Sequence, residues 1–517
     1  MTTDFASAFD VHFGTDGWRA VIGESFNLPT LARVAEATAR AYRSLLDDPE
    51  NELDMVGPSP NTLFVGYDCR LDAHAYAAFF AEIVAAHGFN VLVSDRFCPT
   101  PALCWTVAHK PDAVGGVMLT ASHNPAEYLG VKLRMSDGGA SPDWFSKIVE
   151  SFIDEKLPDN YQQAAELFQT VQRTDPDLKA KAISGAIFDY ADLMDEYLAN
   201  LANSVDRELI RQARLSVVVD PMYGSGRGYL AKLLSGMGVT VYEIHGEKDP
   251  GFADLHPEPI LPWVLEGAKK VAELSYAACL INDGDADRIG AVDGNGVYVT
   301  SHRIISLVIA HLVEGRGMTG RVVRTSAGSN LIKRQCQRLG LELTTKPIGF
   351  KWVYEEMLKG DVLIGGEESG GFGVPTHVRE RDGLLMALLL VEMMAARGND
   401  LSGLVEELLG QVGTLEFKRI DLTLTEAEQA GFLNTHVHAS NDASFYAPLF
   451  SGLGEELVDI DRTDGIMFHF GSDAWLLARP SGTEPLVRVY AEAPTDERVA
   501  ELLAIGCDLA KGLIAGG

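Results

Sequence analysis

The chain has 517 residues, 43 Lys and Arg against 73 Asp and Glu, and a net charge of -30. That length calls for several domains. The acidic balance excludes a nucleic-acid partner, whose binding needs a basic footprint, and an anionic membrane surface.

The N-terminus, MTTDFASAFD, carries no basic or apolar signal segment, and a cytoplasmic protein is expected. Residues 11–20, VHFGTDGWRA, place Arg19 after a glycine turn, where a guanidinium can hold a phosphate. Residues 31–46 show helical spacing. A strand–helix–strand unit then appears: a strand at 63–67 ending at Asp68, an amphipathic helix at 73–86 closed by Gly88, and a strand at 91–93. It recurs at 215–244 and again from Val322 to Thr344. Each copy is a crossover of the kind a parallel sheet requires.

Each copy leads to an apolar strand that ends in a polar loop. Strand 114–119 ends in TASHNP (120–125), strand 277–282 in DGDADR (283–288), and strand 361–364 in GGEESGG (365–371). Open α/β sheets bind ligands at that strand end. The apolar run 384–396 contains Glu392, is too short to span a bilayer, and reads as a core helix. The tail alternates at 415–424, predicts a hairpin from 471–477 and 486–491, and ends in a helix at 496–510. Between the hairpin strands lies ARPSGTEP, 478–485. The six cysteines form no C-x-x-C pair and suit buried thiols in a reducing compartment.

The loops suggest chemistry by residue type. Ser122, on a tight turn beside His123 and ahead of Lys132, can carry a covalent group. Asp283, Asp285 and Asp287 alternate, and an extended segment would put the three carboxylates on one side, a hard-oxygen set suited to Mg2+. An EF-hand fails because Arg288 stands at its glycine position and Gly294 at its glutamate position. Arg479, Ser481, Gly482, Thr483 and Arg488 compose a phosphate cradle. Glu367 and Ser369 offer the acceptor and donor that sugar hydroxyls need, with His377, Arg379, Arg381 and Asp382 close behind. No Walker loop is present, and the glycine run 224–228 lacks the third glycine of a dinucleotide fingerprint. His436 and His438 would share one face of a strand, without a third metal ligand nearby in sequence.

Any one loop also fits an ordinary polar turn. Four in fixed order, TASHNP, DGDADR, GEESGG and RPSGTEP, preceded by FGTDGWR, resemble the α-D-phosphohexomutase superfamily of the phosphoglucomutase/phosphomannomutase type, nearly end to end. The resemblance implies four domains in a heart shape around a central cleft: three related α/β domains with mixed, largely parallel sheets, and a smaller C-terminal α+β domain. The boundaries expected are 1–189, 190–299, 300–412 and 413–517.

The resemblance further implies a phosphoserine at Ser122, with Mg2+ on Ser122, Asp283, Asp285 and Asp287. Arg19, His123, Lys132 and Arg288 would surround the reacting phosphate. Glu367, Ser369, His377 and Arg381 would bind the sugar, and Arg479, Ser481, Gly482, Thr483 and Arg488 its distal phosphate. A hexose 1,6-bisphosphate would be intermediate and activator, the partners being small hexose phosphates and the oligomer a monomer or a dimer. Glucose is the sugar expected. A dedicated phosphomannomutase, a Mg2+-dependent sugar phosphatase and a non-catalytic sugar-phosphate sensor are the alternatives. Two positions depart from relatives: Gly371 stands where the phosphomannomutase type has histidine, and Arg381 where glucose-specific enzymes have lysine. Arginine stays protonated, so Lys132 or His123 is the proton acceptor expected.

Overall fold

The computed structural model describes residues 11–14, 16–47, 60–438, 443–480 and 486–512. They form two compact units. One comprises the described residues up to Arg321 together with Gly349–Val405; the other comprises Val322–Ile348 and the described residues from Glu406 onward.

In the first unit a six-stranded sheet is built from β1 (Trp18–Val21), β2 (Thr62–Tyr67), β3 (Asn90–Ser94), β4 (Ala113–Leu119), β5 (Tyr128–Met135) and β6 (Asp189–Ala191). Their order is β1-β5-β4-β2-β3-β6. β2 pairs in parallel with β3 and β4, whereas β5 runs antiparallel to both β4 and β1. A second sheet repeats the plan with β7 (Ser216–Asp220), β8 (Thr240–Glu243), β9 (Ala278–Asn282), β10 (Ile289–Asp293) and β11 (Tyr298–Val299), in the order β11-β10-β9-β7-β8. The third copy contributes the parallel pair β12 (Arg321–Thr325) and β13 (Leu343–Lys346), and, in the first unit, the antiparallel pair β14 (Val362–Gly366) and β15 (Phe372–Gly373).

The repeat explains the loops. β4, β9 and β14 each turn back into an antiparallel neighbour, β5, β10 and β15. TASHNP, DGDADR and the glycine loop are therefore equivalent connections at equivalent strand ends. The antiparallel strands β5 and β10 were not legible in the sequence, because they are buried on both faces and lack alternation.

Helices Leu28–Asp47 and Ala73–Ala85 bury Leu31, Val34, Phe79 and Phe80 in one core with Val65 and Val117 of the first sheet. The expected core helix spans Gly383–Arg397, with Asp382 accepting from the Leu385 N–H at its N-terminus and Gly398 closing it at φ 61. Its internal acid is satisfied: Glu392 accepts from the Asp206 N–H at 2.6 Å, His311 at 2.6 Å and Arg316 Nε at 2.8 Å. Among the described residues no helix is long and apolar enough to cross a membrane.

The second unit holds a five-stranded antiparallel sheet of β16 (Glu416–Thr423), β17 (Leu457–Asp461), β18 (Ile466–Phe470), β19 (Trp475–Pro480) and β20 (Leu486–Ala493), ordered β16-β20-β19-β18-β17. Helix Asp496–Ala510 packs Leu502 and Leu509 onto it. The predicted strand 471–477 is corrected: residues 471–474 are the turn between β18 and β19. His436 is also not on a strand. It lies in the helical stretch Leu433–Val437, buried, with Nδ1 at 3.2 Å from the Tyr446 hydroxyl.

Candidate active site

Ser122 heads the turn after β4 with its backbone in the left-handed region, φ 53, and its side chain fully buried. A non-glycine residue there needs outside support. Thr120 Oγ1 accepts the Ser122 N–H at 2.9 Å and donates to Asp68 at 2.5 Å. Arg70 supplies the rest. Its guanidinium donates to the carbonyls of Ser122 (2.7 Å), Asn124 (2.6 Å), Pro125 (2.6 Å) and Tyr128 (3.1 Å), and its Nε to Asp68 (3.2 Å). Burial pushes Asp68 up to about 6, against the pull of Arg70 and Thr120. Sequence reasoning missed Arg70. Its only trace was a charged residue just beyond the apolar strand ending at Asp68.

Ser122 Oγ lies 3.1 Å from Asp283 Oδ2. The backbones meet as closely: a Cβ on Gly284 would sit 2.4 Å from the Ser122 carbonyl oxygen. Asp283, Asp285 and Asp287 are all fully buried, with ligand oxygens within 4.8 Å of one another. The expected alternation is not how they converge. Residues 283–287 form a turn with Ala286 at φ 58, so curvature of the chain gathers the carboxylates.

One oxygen each of Asp285 and Asp287 is taken by protein. Asp285 Oδ2 accepts from Thr100 Oγ1 (2.5 Å) and Lys132 Nζ (2.8 Å), and Asp287 Oδ2 from Lys132 (3.1 Å) and Arg381 (2.8 Å). The other oxygens, Asp285 Oδ1 and Asp287 Oδ1, are buried with no hydrogen-bond partner. Buried carboxylate oxygens without a donor fit a divalent cation. Burial and the two neighbouring acids push Asp283 well above the usual carboxylate range. Burial also works against ionised Asp285, but Lys132 and Thr100 outweigh it and hold Asp285 low.

Lys132, on β5, is fully buried and touches Asp16 (2.9 Å), Asp285 and Asp287. Burial opposes its charge, yet these three acids raise it above the ordinary lysine value. An ammonium so surrounded accepts no proton, which corrects that expectation for Lys132. His123 is the opposite case. Burial first, then Arg288, Arg19 and His256, keep its imidazole well below its ordinary value and neutral, and its Nδ1 is buried with no hydrogen-bond partner. Arg19 donates to Asn124 Oδ1 at 2.7 Å, which places it on the serine loop. Arg288 pairs with Glu258 at 3.1 Å and Asp283 at 3.9 Å.

The glycine loop meets the end of the aspartate loop through backbone, the Ile289 N–H donating to the Gly370 carbonyl at 3.0 Å, and the core helix meets it where the Gly383 N–H donates to the Ala286 carbonyl at 3.1 Å. Glu367 is buried, accepts from the Gly349 N–H at 3.0 Å and faces Arg381 at 3.6 Å. Burial raises Glu367 to about 7 although Arg381 opposes it. Ser369 is half-buried on the same turn. His377 does not join them. Its ring nitrogens are held by Asn200 (3.0 Å) and Asp382 (2.9 Å), and Asp382 also accepts from Tyr197 (2.9 Å). That network leaves His377 no free nitrogen for a ligand. Arg379 pairs with Asp137 at 2.9 Å.

In the second unit Arg479 and Arg488 face each other across β19 and β20. Like charges directly opposite repel, and an anion between them relieves the repulsion. Asp464 holds Arg479 Nε at 2.7 Å, and Asp421 lies 3.8 Å from Arg488. Ser481, Gly482 and Thr483 lie outside the described residues.

Comparison with known proteins accounts for this arrangement. Four models of the phosphoglucomutase/phosphomannomutase family match in order: alpha/beta/alpha domain I at residues 10–159, domain II at 195–296, domain III at 300–412 and the C-terminal domain at 438–505. A phosphoglucomutase/phosphomannomutase of Thermococcus kodakarensis is 29% identical over 507 residues, covering 98% of this chain and 99% of that protein. A phosphoglucosamine mutase of Frankia alni is 30% identical over 492 residues, 94% of each chain. The crystal structure of a phosphomannomutase-type protein from Thermus thermophilus superimposes with a TM-score of 0.79 at 31% identity, covering 97% of this chain and 99% of the other. The chain therefore belongs to the phosphoglucomutase/phosphomannomutase family of α-D-phosphohexomutases, with that family's four-domain architecture, and is a mutase, an isomerase of phosphorylated hexoses.

Proposed function

We propose that the protein interconverts hexose 1-phosphates and hexose 6-phosphates, with glucose the preferred sugar, through a phosphoserine at Ser122 and a hexose 1,6-bisphosphate. The observation that carries this reading is the contact of buried Ser122 with Asp283, at 3.1 Å, beside a carboxylate cluster with unpartnered oxygens. Asp283, Asp285, Asp287 and the Ser122 phosphate would hold Mg2+. When bound, that ion neutralises charge on the transferring phosphoryl group.

The chain's own residues do the rest. Arg479 and Arg488, with Ser481, Gly482 and Thr483, hold the substrate's own phosphate. Glu367 and Ser369 take sugar hydroxyls and set the hexose in line with Ser122. O6 attacks the phosphorus of phospho-Ser122; the P–O6 bond forms as the bond to Oγ breaks. His123 accepts the O6 proton at Nδ1, a role that its neutral ring and unpartnered Nδ1 support. Lys132, Arg19 and Arg288 balance charge around the phosphoryl group. The bisphosphate then turns end for end, and transfer of its 1-phosphoryl group back to Ser122 releases hexose 6-phosphate. Relatives bear the names of glucose, mannose and glucosamine phosphate mutases. The preference for glucose rests on the GEES form of the sugar loop.

Two measurements test the reading. Intact and peptide mass spectrometry should find one phosphate on Ser122, transferred to added hexose 1-phosphate. Values of kcat/KM for the 1-phosphates of glucose, mannose and glucosamine should rank glucose first. Failure on glucose with turnover of mannose 1-phosphate sinks the sugar choice, and steady phosphate release without isomerisation sinks the mutase mechanism.

A further inference from the structure

Gly371, on the loop after β14, and Arg381, just ahead of the core helix, are in contact. A Cβ built on Gly371 would lie 2.4 Å from Arg381 Cδ and 3.1 Å from its Cγ, and its three nearest atoms all belong to Arg381. Neighbouring Gly370 differs, with φ +90 and the Ile289 carbonyl oxygen 2.5 Å from its would-be Cβ, so the backbone itself demands glycine there. The φ of Gly371 lies outside the left-handed range. Alanine would suit its backbone, and the nearest obstacle to one is the Arg381 side chain crossing it.

That side chain cannot simply swing aside. Its guanidinium bonds Asp16 of the N-terminal loop at 2.5 Å, Asp287 of the metal loop at 2.8 Å and Glu380 at 3.0 Å, and faces Glu367 of the sugar loop at 3.6 Å. It is 3% exposed and lies over the Phe350 ring, 5.2 Å from its centroid. One rigid, permanently charged fork thus spans three loops from different parts of the sequence, a geometry an ammonium cannot copy.

We propose that Arg381 is a positioning residue that ties the metal loop to the sugar loop, and that Gly371 is glycine to let its side chain through. Arg381 fixes Asp287 from outside the ion, so that the free Asp287 oxygen points to the cluster. The proposal takes its metal and sugar assignments from the reading above.

The test uses the full-length protein, isothermal titration with Mg2+, and urea unfolding of G371A, R381A, R381K and G371A/R381A. R381A should weaken Mg2+ binding by about tenfold, the usual effect of losing a partner of a metal ligand. G371A should weaken it similarly, because the new methyl displaces the guanidinium. The double variant should bind no worse than R381A alone, since both changes remove one interaction. R381K should recover stability but not full Mg2+ affinity, which separates positioning from packing. If G371A does not fold, recovery of folding in G371A/R381A supports the steric coupling, and a double variant that also fails to fold overturns it. Wild-type Mg2+ affinity in G371A or R381A, or losses that multiply in the double variant, also overturn the proposal. None of these readings depends on turnover. A protein that shows this coupling without isomerising sugar phosphates would lose the mutase reading and keep this one.

Discussion

Ser122 and Arg70 show how much of the placement of a proposed phosphoryl carrier lies outside its own motif. The turn is held at φ 53 by four bonds from one buried guanidinium, itself anchored by Asp68. Removing Arg70 takes a donor from each of four carbonyls and leaves Asp68 without its cation. R70M should therefore lose about 3–5 kcal/mol of stability, the range for breaking a buried ion pair. R70K keeps the charge but cannot reach all four oxygens; kcat should fall with KM nearly unchanged. Urea unfolding and steady-state kinetics check both, and a wild-type kcat in R70K contradicts the assignment. S122A should fold normally and show no turnover and no phosphopeptide; residual activity near wild type would exclude Ser122. R479A should weaken sugar-phosphate binding by about 1.5–3 kcal/mol, the worth of a charge-assisted bond, read as a raised KM.

At the scale of elements, the repeated strand-to-strand connection supplies the site, and a second device steadies the loop after β7. His245, at φ 51, bonds Asp220 at 2.9 Å and Glu266 at 3.1 Å. Burial disfavours its charge, but these two carboxylates raise it to about 9. An unfolded histidine titrates near 6.5. Its contribution to stability is thus complete below about pH 6.5 and lost as pH rises through about 9. Urea unfolding at pH 6, 7.5 and 9.5 should show that decline, and H245Q should flatten it. An unchanged slope in H245Q would place the titration elsewhere.

For the whole molecule, the residues proposed for the reaction divide between two units. Ser122, the aspartates, Glu367 and Arg381 belong to the first, Arg479 and Arg488 to the second. Mg2+ held as proposed would bind the folded site and not the unfolded chain. At a hundred times its Kd it should stabilise the first unit by about 2.7 kcal/mol. Hydrogen exchange should show protection on adding Mg2+ at 118–124 and 283–288 and none in the sheet of 416–493. Protection confined to the C-terminal sheet would remove the metal from the aspartate cluster.

Local order was readable in advance wherever it depends on neighbours in the chain. The crossover units, the polar loops, helix 496–510 and the acidic triplet all follow from periodicity, glycine placement and residue type. So does the family, because its motifs are contiguous words. What tertiary structure alone decided are relations between distant residues. Lys132 became a trapped ammonium because Asp16, Asp285 and Asp287 converge on it. His377 was claimed by Asn200 and Asp382, and Arg70 was recruited to the serine turn. A side chain's charge and freedom depend on which groups fold against it, and no spacing along a chain records that.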